Sequence, residues 1–249
     1  MNTPVVSVNI LSASLRYKGA VEPVYNNLGL GLVTGGWTCL LGPSGCGKSS
    51  LLRQLAGLVE PEHNSQLILD RSACATLEGN IAWMGQQDLL FPWLSVLENV
   101  CLPQRLSPGR VTHSYREQAI SLLKSLGLGG CLAHRPEALS GGMRQRVALA
   151  RTLIQDKPLV LMDEPFSALD AVSRYELQNM AVELLQDRTV LLVTHDPQEA
   201  LRLGHRIVRF TNAPVQLQEL SCPAMQPPRS LSDLGAAQQD LLVALGVGA

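Results

Sequence analysis

The segment Leu41-Gly42-Pro43-Ser44-Gly45-Cys46-Gly47-Lys48-Ser49-Ser50 constrains the fold more than any other part of the chain. It follows the apolar run Thr38-Cys39-Leu40-Leu41 and precedes the helical pattern Leu51-Leu52-Arg53-Gln54-Leu55-Ala56, so it sits where a strand passes into a helix. In that setting G-x-x-x-x-G-K-[ST] reads as a loop that cradles phosphate. Its glycines let successive backbone N–H groups turn toward one centre, and the new helix adds its positive end. Gly42, Pro43, Ser44, Gly45, Cys46, Gly47, Lys48, Ser49 and Ser50 are therefore expected to hold the phosphates of ATP. Lys48 would reach the β- and γ-phosphates, and Ser49 would offer a hydroxyl to Mg²⁺, an ion that dehydrates reluctantly and accepts few protein ligands. The plain alternative, a Gly-rich turn with no ligand, is disfavoured by the flanking pattern.

Farther along stands Leu139-Ser140-Gly141-Gly142-Met143-Arg144-Gln145-Arg146. A Ser-Gly-Gly alone reads only as an N-cap followed by flexible residues. Here Met143, Val147, Ala148, Ala150, Leu153 and Ile154 continue it as an apolar helix face, so the Ser140 hydroxyl and the Gly141 and Gly142 amides form a second anion site at a helix start. Two such sites cannot easily serve one nucleotide within one chain. Two chains arranged head to tail could each close the ATP of the other. The run from Leu139 to Arg146 resembles the signature of ATP-binding cassette ATPases.

Other segments are similar to that family in order. Pro158-Leu159-Val160-Leu161-Met162-Asp163-Glu164 reads as a buried strand ending in two carboxylates and resembles the Walker B element. The resemblance implies that Asp163 holds Mg²⁺ through water and that Glu164 polarises the attacking water; for the pair taken alone, a helix cap or a solvated turn is the lesser alternative. Ser167-Ala168-Leu169-Asp170 resembles the D-loop that crosses the dimer interface, and Asp170 also suits the cap of a helix burying Val172, Leu177, Met180, Ala181 and Leu184. His195 follows the buried strand Thr189-Val190-Leu191-Leu192-Val193, at the end where open α/β sheets place ligands. A lone histidine there is more often structural. The ordered match identifies it with the switch histidine, which contacts the γ-phosphate, so that Lys48, Gln86, Glu164 and His195 are the catalytic candidates.

Tyr17 occupies the position of the aromatic that stacks on adenine in the family, with an edge-strand tyrosine as the alternative. Gln86 or Gln87, after the strand-like Ile81-Ala82-Trp83-Met84, is the expected Q-loop ligand of Mg²⁺; spacing back from Pro92-Trp93 favours Gln86. The metal set implied is Ser49, Gln86 and Asp163. Three residues depart from the pattern. Ser50 stands where Thr is usual, Gly85 precedes Gln86 where an aromatic is common and implies a more mobile loop, and Cys46 implies chemical sensitivity of a thiol at a helix start rather than catalysis.

Composition narrows the classes further. The 249 residues suffice for one large core with a smaller lobe, and a net charge of −1 argues against a nucleic-acid binder. No run of about eighteen apolar residues exists, so no spanning segment is expected, and Met1-Asn2-Thr3-Pro4 does not resemble a signal peptide. The six cysteines, 39, 46, 74, 101, 131 and 222, show no close metal spacing and are expected to be reduced thiols.

The expected fold is α/β: a P-loop NTPase with a mainly parallel core sheet, an antiparallel β subdomain and a helical subdomain. The alternation Val6-Val8-Ile10 and Leu28-Leu30-Leu32 predicts the antiparallel sheet beside the nucleotide. An ATPase domain is expected over residues 1–212, with the helical part inserted at about residues 94–157. That part carries a Ser114-to-Glu117 cap, an apolar face of Ala119, Leu122, Leu123 and Leu126, and a stop at Gly127. After Asn212, prolines 214, 223, 227 and 228 break the chain before a leucine-bearing segment, Leu231 to Leu245, so residues 213–249 form a short tail.

The resemblance implies an importer subunit that forms a homodimer through ATP at the cytoplasmic face of the inner membrane. It would be peripheral there and would serve transmembrane permease subunits and a periplasmic or lipid-anchored solute-binding protein. Leu89-Leu90-Phe91-Pro92-Trp93-Leu94-Ser95-Val96 is most similar to cassettes for nitrate, sulfonate, taurine or thiamine precursors, and its two rings read as either core residues or anchors for a permease helix. An exporter or lipoprotein-release ATPase, a non-transport ATPase and a scaffold without chemistry are the rival classes. Intact Lys48, Asp163, Glu164 and His195 speak against the last.

Overall fold

The computed structural model describes residues 7–59, 66–69, 77, 79–107, 111–211 and 215–245. Val6, Cys74, Asn212 and Pro214, and the start Met1 to Pro4, lie outside the described residues. In chain order the elements are β1 (Asn9–Leu15), β2 (Tyr25–Gly31), β3 (Trp37–Leu41), α1 (Lys48–Leu55), β4 (Gln66–Leu69), β5 (Ile81–Met84), α2 (Val96–Val100), α3 (Leu102–Leu106) and α4 (His113–Ser125). There follow α5 (Gly141–Leu153), β6 (Leu159–Asp163), α6 (Ala171–Leu184), β7 (Thr189–Thr194), α7 (Pro197–Leu203), β8 (Arg206–Phe210), β9 (Leu217–Leu220) and α8 (Gly235–Ala244). The chain divides into two compact units, one of Met1–Ile81, Pro158–Glu164 and Gln186–Ala249, the other of Ala82–Lys157 and Pro165–Leu185.

In the first unit β1 pairs antiparallel with β2, Ile10 opposite Leu30, and on its other edge with β4. Val8, Ile10, Leu28, Leu30 and Leu32 are buried, as their alternation predicts for a half-buried sheet. The main sheet of this unit runs β6-β7-β3-β8-β9. Its neighbours are parallel except β8 and β9, which are antiparallel. Every residue of β3, β6 and β7 is buried, which is why these strands read as unbroken apolar runs. Register brings Leu41 opposite Thr194, and Asp163 opposite Val193. The strands β3, β6 and β7 therefore end side by side, at the carboxyl ends where open α/β sheets bind ligands.

The second unit is mainly helical. A capping box starts α2, with Ser95 Oγ accepting from Glu98 N and Glu98 Oε2 accepting from Ser95 N. The expected cap of α4 at Ser114 is corrected: the cap is Thr112, whose hydroxyl accepts from Tyr115 N at 3.2 Å, so the helix begins nearer the N-terminus. A Thr serves there as well as a Ser. Gly127, at φ +74°, ends that stretch as expected. Asp170 caps α6 by accepting from Val172 N and Ser173 N, but Val172 and Leu184 are exposed, not buried. The buried stripe of α6 is instead Leu177, Gln178 and Ala181.

The residues after β8 extend the first unit. β9 closes the sheet edge, and Arg229, though charged, is 4% exposed. Its guanidinium donates to the carbonyls of Leu201, Gly204, Pro223 and Met225, which pair its N–H groups away from water. Among the described residues, no helix is long and apolar enough to cross a membrane.

Candidate functional site

The loop between β3 and α1 has the shape its glycines predict. Gly45 and Gly47 hold φ of +80° and +109°, where a side chain is strained. A Cβ at Gly47 would also meet Val24 Cγ1 at 2.7 Å, and one at Gly42 would meet the carbonyl oxygen of Phe210 at 2.6 Å. Gly47 caps α1 without a side-chain bond and the first turn carries no acid, so the free N–H groups of the helix start are not competed for by a carboxylate. Lys48 is buried, its ammonium donating to the carbonyls of Gly42 at 2.8 Å and Pro43 at 2.6 Å, which holds the charge inside the loop. Cys46 is buried as well, with Sγ 3.7 Å from Lys48 Nζ.

Two carboxylates and an imidazole stand at the ends of β6 and β7, and one of them, Asp163, bonds to this loop. Ser49 Oγ donates to Asp163 Oδ1 at 2.8 Å. Burial pushes the Asp163 carboxyl above its usual range, opposed by the Ser49 bond, so a cation beside it would relieve the desolvation. The hydroxyl–carboxylate pair fits a hard divalent ion that keeps most of its water. Next to it, Glu164 takes φ +47°, a left-handed backbone that costs a non-glycine residue roughly 1 kcal/mol or more. A bond from its N–H to Val193 O at 2.9 Å holds it there. The turn aims Glu164 Oε2 at His195 Nδ1, 2.9 Å away, while the histidine remains 53% exposed. Asp196 then caps α7, accepting from Gln198 N and Glu199 N.

Tyr17 lies beside the loop, its hydroxyl donating to Ser50 Oγ at 2.9 Å and its ring partly exposed. Beneath it a connection unannounced by any motif ties the antiparallel sheet to α1: Tyr25 donates to Gln54 Oε1 at 2.9 Å and Gln54 Nε2 to Ser14 O at 3.0 Å. An apolar helix pattern interrupted by glutamine was the one available signal. The first unit thus brings together the whole loop from Gly42 to Ser50, Tyr17, Asp163, Glu164 and His195.

Gln86, Ser140, Gly141 and Gly142 belong to the second unit. Ser140 caps α5, accepting from Met143 N at 3.3 Å, and no acid lies in the first turn. Gly142 packs closely on α6, where a Cβ would meet Ser173 Oγ at 3.3 Å. An open cavity of about 380 Å³ is lined by Gln86, Gln87, Gly141 and Gln145 among others, so both glutamines face it. Farther on, Phe91 and Trp93 stack at a tilt with centroids 5.1 Å apart, and are 37% and 64% exposed. Asn99, fully buried, holds the loop under them. It accepts from Phe91 N and donates to the carbonyls of Phe91, Leu94 and Ser95. Sequence reading missed this helix start, for which the Ser95-x-x-Glu98 spacing was the available signal.

Comparison with known proteins accords with this geometry. The family model described as ABC transporter matches residues 25–167. An uncharacterized ABC transporter ATP-binding protein of Haemophilus influenzae is 44% identical over 96% of this chain and 98% of its own. The aliphatic sulfonates import ATP-binding protein SsuB 1 of Rhodococcus jostii is 39% identical over 96% of this chain and 94% of its own. Among solved structures, the dimeric post-hydrolysis state of the ATP-binding cassette MJ0796 bound to ADP and Pi is 30% identical, with a TM-score of 0.72 over 88% of this chain and all of that one. With its loop, signature helix and paired carboxylates in this arrangement, the chain belongs to the ABC transporter family of ATP-binding cassettes, which are ATPases.

Proposed function

We propose that this chain is the ATP-hydrolysing subunit of a membrane importer for a small solute. In that role it works as a head-to-tail dimer in which ATP lies between the phosphate loop of one copy and Ser140, Gly141 and Gly142 of the other. The observation that carries the chemistry is the pairing of Ser49 with Asp163 and of Glu164 with His195 at one sheet edge. The loop N–H groups and Lys48 hold the phosphates in line. Glu164, fixed by its backbone turn, accepts a hydrogen bond from the attacking water and takes its proton as the bond from that water to the γ-phosphorus forms and the bond from the γ-phosphorus to the β,γ-bridging oxygen breaks, so that ADP leaves and phosphate is released. His195, half exposed, is free to turn to a γ-phosphate oxygen. Ser49 and Asp163 would hold Mg²⁺, whose chemistry is to neutralise charge on the β- and γ-oxygens. Gln86 is kept as a further metal ligand, and Tyr17 as the adenine platform, on the resemblance.

Import rests on the relatives named for aliphatic sulfonates, which favour a small anionic solute. The exposed rings of Phe91 and Trp93 support docking of a short permease helix, since aromatic anchors dominate interfaces. A peripheral place at the cytoplasmic face of the inner membrane, and a solute-binding protein on the far side, complete the proposal.

The test is Glu164→Gln. It is expected to bind ATP, lose hydrolysis and accumulate an ATP-dependent dimer on sizing columns, whereas adding Ser140→Arg to it should leave ATP binding and abolish the dimer. Normal hydrolysis by Glu164→Gln in the membrane complex, or an unchanged dimer fraction in the double variant, would refute the assignment.

A further inference from the structure

Ser140 and the ring-bearing loop lie on the same unit, and the residues between them make a physical connection. Arg144, one turn into α5, donates from Nε to Asp88 Oδ2 at 3.0 Å and from Nη1 to the carbonyl of Leu139 at 2.9 Å. Arg151, two turns on, donates to the carbonyls of Asp88 at 2.6 Å and Leu89 at 2.7 Å. One helix therefore grips one short segment twice. The grips differ in kind. Arg151 binds backbone: its hydrogen-bond acceptors are the carbonyls of Asp88 and Leu89, and the Asp88 carboxylate adds only a charge attraction to it. The Arg144–Asp88 pair is 38% and 29% exposed, so it is cheap to open and close.

Each end of this connection is fixed to something that matters. Leu139, which Arg144 also holds, immediately precedes the cap Ser140. Asp88 Oδ1 accepts from Leu90 N, and the next residue, Phe91, is clamped at both its N–H and its carbonyl by Asn99. Leu89 is held at φ +47°, a strained backbone that the Arg151 bonds help to fix, so the segment has few ways to absorb a push without passing it on.

We propose that Asp88 is a positioning residue through which seating of a permease helix on the Phe91–Trp93 loop is passed, by way of Arg144, to the Ser140 end of α5, so that ATP hydrolysis answers to the permease. A partner can shift an equilibrium only through a contact that differs between its two states, and an ion pair that opens and closes cheaply is such a contact. The inference rests on the docking part of the proposed function.

The experiment compares the isolated subunit with the complex copurified from membranes of its own cell and placed in proteoliposomes. Asp88→Ala should melt with the wild type and keep its basal ATPase, while stimulation by the permease falls roughly two- to fivefold, the range for a partly exposed pair. Exchanging the charges, Asp88→Arg with Arg144→Asp, should recover part of the stimulation lost in either single variant. Full stimulation of Asp88→Ala, no recovery in the exchange, or an equal fall of basal and stimulated rates would overturn the inference. Trp93→Ala separates the two levels. If it uncouples while Asp88→Ala does not, only the role of Asp88 falls; if it leaves assembly and stimulation intact, docking and the inference fall together.

Discussion

The carboxylate corner of the first unit and the ring-bearing loop of the second are both loops at the ends of regular elements, yet they are held by opposite means. At the corner, side chain meets side chain: Ser49 on Asp163 and Glu164 on His195, standing on strands with every residue buried. In the loop, side chain meets backbone: Asn99 takes four backbone groups and Arg151 two, while the rings themselves face solvent. Chemistry on phosphate needs functional groups fixed to fractions of an ångström. Docking needs a fixed backbone that presents side chains to another molecule. The contrast explains why one region spends its polar groups on each other and the other spends them on its own main chain.

Three substitutions would break or sharpen this contrast. The largest effect is expected from Lys48→Ala, which removes the buried charge of the phosphate loop: ATP affinity should fall about 100-fold or more by titration calorimetry, with the second unit unaffected. A loss below about threefold would mean that the backbone amides alone bind the phosphates. Next comes Asn99→Ala. It removes the side-chain partner of Phe91 N and Leu94 O, while Phe91 O and Ser95 O keep backbone bonds from Leu94 N and Asn99 N, and with the cavity left by a fully buried side chain it should destabilise the chain by about 2 kcal/mol in denaturant unfolding. Stability close to wild type would show that the loop is not held as described. The smallest is the stability effect of Trp93→Ala, under about 0.5 kcal/mol for so exposed a ring, against a marked loss of copurification with the permease. A drop of several kcal/mol, the size for a core aromatic, would make the ring structural.

Sequence reading succeeded where function demands residue types at short fixed spacing. Gly42 to Ser50 is one turn of chain, and its helix and strand neighbours carry their own periodicity, so both the loop and its context were visible. The fully buried strands β3, β6 and β7 were equally plain. What stayed hidden has partners that leave no mark in composition. Arg151 bonds to carbonyls of residues 62 and 63 positions away, and any residue has a carbonyl. Gln54 and Asn99 act through similar long-range or main-chain contacts. Boundaries failed for a milder reason: Thr112 and Ser114 are both competent caps two residues apart, and the periodicity of α6 did not say that its first and last apolar residues, Val172 and Leu184, would face outward. The left-handed turn at Glu164 is a special case. Propensity would place glycine there; the backbone bond to Val193 O holds the turn, and the carboxylate that this turn aims at His195 is what a glycine would lack.

Arg229 has a practical consequence for anyone who wishes to shorten or label this protein. Its guanidinium closes off the carbonyls at the end of α7, the helix that begins directly after Asp196, and its own N–H donates to Arg202 O at 3.0 Å. A truncation that cuts before residue 229 would uncover main-chain oxygens in the interior rather than trim an appendage. An affinity tag or fluorophore is therefore best attached beyond α8, whose last carbonyl, Ala244, is already occupied by Arg209.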